Sequence, residues 1–509
     1  MIYTTKRCYW KLRKMISDMK GKLKNIFSSS FLWSVLLIII LVSVYVATLL
    51  PGVGWSGDTA KFQFVGRVLG TPHTTGYPTY IFLNYFFTKL FPIGSLAYKA
   101  NLLSALFSII TSLFLFRIFI LFDCKRVIAF ITSLIFCLTY TLWSQSIVAE
   151  VYTLNILFVT IVLHFLLKWN KTKEDRNFFI ACAFYALSFG NHITMVTLLP
   201  AIIYFIWVTD KKVFTSGRKM IMVALFFFVG ALQYSYIFWR YYSPHTSYLE
   251  MQVPNFERLW WYLTGAQFKS KMFSFHITQI IHERIPMFYK LLIREYPYLI
   301  LVALLGTFRF KKTVNLFLFL CFLFPTIFAI NYNIFDVFVY FIPSYLIIAL
   351  FIGKGLELIA SLLLKKGVIS NPVVLILIPL IFFAINHEYV SQRHNTIRAR
   401  MIETVLQTVK KDAVILVASY KYSQYFWYYL IGEGMQRNNV YIMPYNHTYE
   451  EVKSYIDENK PFYVKQQREH IPAGLTVYCL NTYSYCYKLR NDGFTLIDVG
   501  ETSLKRIVR

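Results

Sequence analysis

Charged residues are scarce in this sequence. They make up 15% of its 509 residues, whereas ordinary soluble domains carry about a quarter. The hydrophobic fraction is 57%, and it is concentrated in long uninterrupted runs. One soluble core does not explain such runs, because soluble domains stop enlarging a single core near about 250–300 residues. The sequence therefore excludes an ordinary soluble globular protein and indicates a polytopic membrane protein.

Motifs for metal and nucleotide binding are missing as well. The cysteines include no C-x-x-C pair, the histidines form no H-E-x-x-H pattern, and no glycine-rich loop follows a predicted strand. We therefore expect no metal site, no disulfide-rich fold and no nucleotide-sugar site. Cys479 and Cys486 fall in a segment predicted to lie outside the membrane, where either a disulfide or two free cysteines would fit.

Acidic residues are half as frequent as basic ones, which gives a net charge of +27. This charge does not indicate nucleic-acid binding, because most bases lie in short loops between apolar runs, where the positive-inside rule predicts them. The runs predict about eleven membrane-spanning helices. They are centred on residues 31–50, 98–121, 127–143, 147–167, 177–190, 192–208, 219–240, 296–308, 314–330, 337–360 and 371–386.

The loop charges predict the orientation of the chain in a cell membrane. Residues 1–30 are basic and precede a run long enough to span, so we expect a cytoplasmic N-terminus followed by a signal anchor. The transmembrane domain is predicted over 31–386, with outer loops at 51–97 and 243–295. Residues 387–509 are predicted to form a small extracytoplasmic α/β domain, since "DAVILVASY", "NNVYIMPY", "PFYVKQ" and "FTLIDVG" have strand patterns.

Short amphipathic stretches complete the predicted outer face. The stretch Tyr80 to Phe91 is too short to span and contains Lys89, so we expect an interfacial helix. Aromatic residues in the second outer loop suit helices at the level of the lipid headgroups. These residues are Trp260, Trp261, Phe268 and Phe273.

Two acidic residues at the outer mouth of the predicted bundle are candidates for catalysis. Asp58 precedes an amphipathic stretch containing Phe62, Val65 and Leu69, so it could cap a helix that lies on the membrane, or act as a general base, or do both. Glu150 begins a predicted span on the same side. It could be stabilised by the helix dipole, or it could face a cavity.

Further candidates would bind substrate rather than react. A histidine in a loop is often structural, and outer bases can serve anionic lipid headgroups. A lipid phosphate would nevertheless need Arg or Lys donors, and Arg240 is the best single candidate for that role. The candidate substrate-binding residues are His73, Tyr77, His192, Lys61, Arg67 and Arg240.

Four motifs in order resemble a known family. They are "GDTAKFQFVGRVLGTPHTTGYPTY", "LWSQSIVAEVYTLN", "LSFGNHITMVTLLP" and "FWRYYSPHTSYLEMQVPNFERLWWYLTGAQF". The sequence is similar to a bacterial membrane-protein family long described as a domain of unknown function, with eukaryotic relatives associated with protein O-mannosylation. That family looks like part of the GT-C glycosyltransferase superfamily. In this sequence Lys61 stands where many members have an acid, and Ser419-Tyr420 follows the first tail strand where Asp or Asn is common.

The resemblance implies an all-α, GT-C-like membrane glycosyltransferase on the outer face of the membrane. It implies that a sugar moves from a polyprenyl-phosphate donor to a protein, glycan or lipid hydroxyl, with the donor as a substrate rather than a cofactor. Asp58 would be the essential acid, which deprotonates or at least orients the acceptor hydroxyl. Glu150 would be a second acid, which either orients the acceptor or raises the basicity of Asp58 by like-charge coupling. The alternatives are a transporter or flippase of lipid-linked sugars, and a surface-polysaccharide polymerase or ligase.

Overall fold

The computed structural model describes residues 29–54, 58–244, 246–417, 419–435, 439–480, 484–499 and 504–508. The predicted cytoplasmic segment 1–30 therefore lies almost entirely outside the described residues. Over the described ranges the chain is mostly helical, and a small sheet forms near its C-terminal end. The predicted fold class, a helical membrane domain followed by α/β structure, is confirmed.

Eight helices in the described ranges are long and apolar enough to cross a membrane, judged by length and composition. A ninth span results if two helices joined by a 72° bend, Arg126–Cys137 and Tyr140–Ser146, are counted as one. The eight are Ser30–Thr48, Leu96–Leu121, Tyr152–Thr172, Ile193–Phe214, Gly217–Tyr242, Lys312–Ile330, Val337–Lys365 and Pro372–Val390.

The sequence predicted about eleven spans, and two of these correspond to shorter helices. Asp175–Ser188 has 14 residues and Ile300–Thr307 has 8. At about 1.5 Å per residue, neither reaches across roughly 30 Å of hydrocarbon as a straight helix. At these two positions the apolar runs continue through turns at the helix ends, and the helices themselves are shorter than a full span.

Small residues allow the closest helix contact in the bundle. Helix Ile300–Thr307 packs on helix Val337–Lys365. A Cβ atom at Gly306 would lie 1.8 Å from the carbonyl oxygen of Phe351, and one at Gly355 would lie 2.0 Å from that of Val302. Glycine is therefore required at both positions, as is common where membrane helices touch backbone to backbone.

The segment after the first span does not lie on the membrane surface as predicted. Helix Thr59–Phe64 is short, and all six of its residues are buried. It packs between helix Leu96–Leu121 and helix Tyr420–Trp427 of the C-terminal region. Its apolar residues are therefore covered by protein, and the predicted amphipathic helix through Leu69 is wrong.

A second short helix, Pro78–Leu90, covers the predicted interfacial stretch. Its inner face buries Tyr80 and Ile81, while Phe86 and Leu90 are exposed. The remaining described elements between the spans are the α-helices Phe256–Leu263, Ile277–Gln279 and Ile285–Glu295, the 3-10 helix Ala266–Lys271 and the π-helix Ile280–Arg284. Trp260, placed by the sequence at headgroup level, is 70% exposed.

The C-terminal sheet has five strands in the order β2-β1-β5-β7-β6. Strand β1 pairs in parallel with β2 and β5, while β7 pairs antiparallel with β5 and β6. A separate antiparallel pair joins β3 and β4. The strands are β1 (Ala413–Leu416), β2 (Val440–Met443), β3 (Phe462–Val464), β4 (Glu469–Ile471), β5 (Thr476–Leu480), β6 (Thr495–Asp498) and β7 (Leu504–Val508).

Helices Ile397–Thr408, Tyr420–Trp427, Tyr449–Asp457 and Ser484–Asn491 accompany the sheet, and the π-helix Tyr428–Gly432 follows the second of them. The four strands predicted from sequence are all present, while β4, β5 and β7 were not predicted. Cys479 on β5 and Cys486 on the last helix form a disulfide, which settles the alternative that the sequence left open.

Candidate active site

Asp58 occupies the N-cap position of helix Thr59–Phe64, but its side chain makes no capping hydrogen bond. The helix is fixed from its other face instead. Gln63 donates from Nε2 to Oδ1 of Asn101 at 2.9 Å and accepts at Oε1 from the Gly54 amide at 3.0 Å. Because these contacts replace the cap, the carboxylate of Asp58 is left to interact elsewhere.

The carboxylate of Asp58 forms an ion pair with Lys61 one helical turn later. The Lys61 Nζ atom lies 2.9 Å from Oδ1 of Asp58, and His73 Nε2 lies 3.6 Å from Oδ2. The Asp58 side chain is 30% exposed, while that of Lys61 is fully buried. Asp58 is thus the member of this pair that a substrate can reach.

Two further residues complete the cluster, and neither was predicted from sequence. Tyr420 donates its hydroxyl to Oδ1 of Asp58 at 2.8 Å and accepts a hydrogen bond from Lys61. Glu250 lies 2.9 Å from Lys61 Nζ through Oε2. The sequence carried one signal for Tyr420, its place directly after the first tail strand. It carried none for Glu250.

Backbone contacts hold Glu250 in the cluster. Its amide donates to the Thr71 carbonyl at 2.8 Å, and the Thr71 amide donates to the Tyr248 carbonyl at 3.1 Å. The neighbouring Leu249 amide donates to the carbonyl of Gln466 at 2.7 Å. The second outer loop is therefore pinned on one side to the first loop and on the other to the C-terminal region.

The hydrogen bonds define the protonation of His73. Burial would lower the pKa of Lys61, but the charges of Asp58 and Glu250 outweigh it and raise that pKa, so Lys61 is an ammonium. Its Nζ is 2.6 Å from Nδ1 of His73, which must then accept. The proton of a neutral His73 lies on Nε2, from which it donates to the Tyr77 hydroxyl at 2.9 Å.

Tyr77 and the loop before it are held by a neighbouring helix. The Tyr77 hydroxyl donates to the Thr74 carbonyl at 3.1 Å. The Tyr262 hydroxyl donates to the Pro72 carbonyl at 2.5 Å. Gly76 has φ +85°, and a Cβ atom there would lie 2.8 Å from the Tyr262 ring. Glycine is therefore required at this turn, which lies between His73 and Tyr77.

Glu150 lies directly behind Asp58. Its Oε1 accepts from the Asp58 amide and from the Thr59 hydroxyl, each at 3.3 Å. Its own amide donates to the Ser104 hydroxyl at 3.2 Å. Burial, and then the negative charges of Asp58 and Asp336, raise the pKa of Glu150 well above its usual value. Glu150 is therefore a buried support for the backbone that carries Asp58.

The electrostatics reverse one sequence-based expectation. Glu150 was expected to raise the basicity of Asp58. Burial does push the pKa of Asp58 upward, but the charge of Lys61 and the hydrogen bonds from Lys61 and Tyr420 hold it well below its ordinary value. The like-charge coupling instead falls on Glu150, because no cation among the described residues forms an ion pair with it.

His192 lies in an aromatic cluster next to these residues. Its ring centre is 6.1 Å from that of Tyr77, 5.8 Å from Tyr152 and 5.5 Å from Tyr340. Burial lowers the pKa of His192 to about 4. A cavity of about 20 Å³ adjoins it. A water molecule needs about 10–15 Å³, so a sugar ring enters here only if these side chains move.

The two predicted arginines are placed differently. Arg67 is exposed. Arg240 is only 6% exposed. It donates to the Val68 carbonyl at 3.2 Å and lies over the Trp239 ring. Its Nε atom has no hydrogen-bond partner, and in the described part of the chain no carboxylate forms an ion pair with it.

In the described residues no group of three or more His, Cys, Asp or Glu side chains is arranged to hold a metal ion. Of the predicted site residues, Asp58, Glu150, Lys61, His73, Tyr77 and His192 form one continuous set of contacts. Arg240 binds the Val68 carbonyl of the first outer loop, the loop that also carries Asp58, Lys61 and His73.

Known proteins resemble the chain in sequence. The model of the protein O-mannosyl-transferase TMEM260 N-terminal domain matches residues 58–215. The protein O-mannosyl-transferase TMEM260 of Mus musculus is 27% identical over 39% of this chain and 28% of its own length. The corresponding protein of Dictyostelium discoideum is 28% identical over 25% of this chain and 16% of its own length. The chain thus matches less than a third of these relatives' length.

Solved structures resemble the chain in fold. ArnT from Cupriavidus metallidurans, crystallised with undecaprenyl phosphate, superposes with a TM-score of 0.60 over 94% of this chain and 97% of its own, at 11% identity. Its apo form gives a TM-score of 0.54 at 12% identity. The predicted resemblance is confirmed, and the chain is a multi-pass membrane protein with a GT-C fold.

Proposed function

We propose that this chain is a membrane glycosyltransferase that moves a sugar from a polyprenyl-phosphate donor to a hydroxyl group of a protein or glycan on the outer face of the membrane. The observation that carries the proposal is an ionised carboxylate, Asp58, that stays partly exposed while the cation beside it is sealed from solvent. The names of the TMEM260 relatives and the undecaprenyl phosphate held by ArnT support the sugar and lipid classes.

The acceptor hydroxyl would donate a hydrogen bond to Asp58. Its oxygen forms a bond to the anomeric carbon of the donor, and the bond from that carbon to the phosphate oxygen breaks. The low pKa of Asp58 makes it a weak base. The proton therefore moves late, when the reacting oxygen has become acidic through bond formation. Asp58 thus acts first by orienting the acceptor, which by itself removes much of the entropic barrier.

The leaving phosphate needs a cation, and Arg240 fits that role better than Lys61. Lys61 is fully buried and its ammonium contacts four protein groups. Arg240 is buried without a carboxylate partner and has an unused Nε donor. Burying an unpaired guanidinium is costly, so an incoming phosphate would gain a charge-assisted donor at this position.

The test is a transfer assay in lipid nanodiscs, with polyprenyl-phosphate mannose and other lipid-linked sugars as donors and peptides or glycans as acceptors. We expect Asp58→Asn to lower transfer by at least about 10²-fold, the lower range for a positioned acid or base. Asp123→Asn is the matched control, because Asp123 is 85% exposed and pairs with Lys171. Full transfer by Asp58→Asn would refute the mechanism. Movement of lipid-linked sugar across the bilayer without transfer would favour a flippase.

A separate experiment tests which side of the membrane the site faces. Ile93 follows the interfacial helix and is 66% exposed, while Asp123 lies in a loop predicted inside. We expect a cysteine at 93 to react with an impermeant maleimide in intact cells, and a cysteine at 123 to react only after permeabilisation. The reverse pattern would place the site on the cytoplasmic face.

A further inference from the structure

The ammonium of Lys61 lies among four polar side chains. Oxygen atoms of Asp58 and Glu250 each lie 2.9 Å from Nζ, and Nδ1 of His73 lies at 2.6 Å. The Tyr420 hydroxyl is the fourth contact. Carboxylate oxygens and an imidazole nitrogen are the usual ligands of divalent transition metals. These side chains come from three separate parts of the sequence and converge on one atom.

The ammonium of Lys61 uses all of its hydrogen-bond donors in these contacts. It has three N–H donors for four neighbouring acceptors, so no donor is left for a substrate. The Lys61 side chain has no exposed surface, and a phosphate could reach it only if the cluster came apart. The fixed role of Lys61 is therefore to hold other side chains.

The charges require a cation at this position. Two carboxylates face the same atom, and without a positive charge between them they would repel each other in a water-poor site. His73 does not supply the charge, because it accepts a hydrogen bond from Lys61 and is neutral. Tyr420 donates to Asp58 and lies 3.2 Å from Glu250, but it is also neutral. Lys61 is the one cation recorded in contact with these carboxylates among the described residues.

We propose that Lys61 is a positioning residue that supplies the resident cation of this site in place of a divalent metal ion. Transfer by the unmodified protein then needs no added metal. While Lys61 lies between them, Asp58, His73 and Glu250 are not arranged to hold a metal ion, and removing the ammonium lets them close around a divalent cation. Only the transfer measurement rests on the proposed function, since cation binding is measured without substrate.

Mn²⁺ binding is the first test. The full-length protein in nanodiscs is titrated with Mn²⁺, and free Mn²⁺ is followed by its electron paramagnetic resonance signal. We expect Lys61→Met to bind one Mn²⁺ at least about tenfold more tightly than the unmodified protein, and Lys61→Met with Asp58→Asn to lose that site. Lys219→Met is the matched control, because Lys219 also lies between two carboxylates, Asp175 at 2.8 Å and Asp210 at 3.2 Å.

Two outcomes would overturn the proposal. One is that the unmodified protein binds Mn²⁺ and loses it in Asp58→Asn, since the site would then already take a metal. The other is that Lys61→Met binds no more Mn²⁺ than Lys219→Met. If Lys61→Met does not fold, Lys61→Gln is titrated, and binding of Mn²⁺ by the unmodified protein still decides the first point.

Transfer gives the second test. We expect dialysis against EDTA to leave transfer by the unmodified protein unchanged, and added Mn²⁺ to restore Lys61→Met at least about tenfold. A merely structural lysine would not be rescued by a metal ion. Loss of transfer on EDTA treatment, with recovery on adding Mn²⁺, would contradict the inference. If no donor supports transfer by the unmodified protein, the proposed function fails while the Mn²⁺ titration still decides this inference.

Discussion

Two lysines in this chain each lie between two carboxylates, at opposite ends of the helical bundle. Lys219 begins helix Gly217–Tyr242 and pairs with Asp175 and Asp210, which belong to two neighbouring helix ends. Lys61 pairs with Asp58 and Glu250. The Lys219 side chain is 17% exposed and joins helix ends. The Lys61 side chain is fully buried and has His73 and Tyr420 as further neighbours.

The comparison shows that an ion pair alone does not identify a reactive site. The Lys61 cluster differs in that the Lys61 side chain is fully buried while the side chain of its partner Asp58 is 30% exposed. At Lys219 the cation is itself 17% exposed and its partner Asp175 is 46% exposed, so both members of the ion pair reach solvent. The predictions below test this difference.

The largest difference should appear in transfer activity. Lys61→Met leaves Asp58 and Glu250 without their shared cation, so we expect a loss of about 10²-fold, similar to removing a key electrostatic donor. Lys219→Met should change transfer by less than about twofold, since surface ion pairs contribute little. Both variants are assayed in nanodiscs with matched protein amounts. Equal losses would show that Lys61 is as structural as Lys219.

Tyr420 should have the next largest effect. Tyr420→Phe removes the hydroxyl that donates to Asp58 and keeps the ring. A hydrogen bond to a charged group is worth about 1.5–3 kcal/mol, so we expect roughly a tenfold or larger fall in kcat. Tyr422→Phe on the same helix is the control. An unchanged kcat in Tyr420→Phe would remove the C-terminal region from the chemistry.

The pH dependence of transfer should also differ between variants of the two lysines. Asp58 has a lowered pKa in the folded protein. The stability it contributes is therefore present above its unfolded pKa of about 3.9, and it is lost only as the pH falls through the lower folded value. Without Lys61, burial dominates and the pKa rises. The acid limb of transfer in Lys61→Met should move up by about one pH unit or more, while Lys219→Met keeps the limb of the unmodified protein.

The smallest effect concerns stability at Lys219. We expect Lys219→Met to lower the free energy of unfolding by about 0–1 kcal/mol, the usual range for an ion pair near solvent. The difference should shrink further at about 1 M salt, where charges are screened within about 3 Å. Thermal unfolding in detergent at low and high salt measures both. A salt-independent loss would mean that Lys219 contributes through packing.

The fold was predictable from sequence where one physical signal dominated. Long apolar runs located the spans, and alternating patterns located β1, β2, β3 and β6. Hydrophobicity does not reveal where a helix stops, so the short helices that end at Ser188 and Thr307 were not predicted. The burial of helix Thr59–Phe64 was missed because its cover comes from residues far away in the sequence.

The site was predictable for residues with local signals. Asp58, Glu150 and His73 stand in motifs next to predicted span ends. Glu250 and Tyr420 were missed because their roles depend on the pairing of Thr71 with Leu249 and on the packing of the C-terminal region. The sequence also contained no sign that the pKa of Asp58 is lowered and that of Glu150 raised. Both shifts depend on the position of the Lys61 side chain, which the sequence does not reveal.

The bond from Tyr420 to Asp58 joins residues 362 positions apart, and this has a consequence for biosynthesis. Chains grow at about 5–20 residues per second. Asp58 therefore exists for roughly 20–70 seconds before its phenolic partner has been made. During that interval most of the spans enter the bilayer with the carboxylate incompletely held. The protein acquires its assembled site only when the end of the chain folds back onto its beginning, so chains stalled before Tyr420 remain without it.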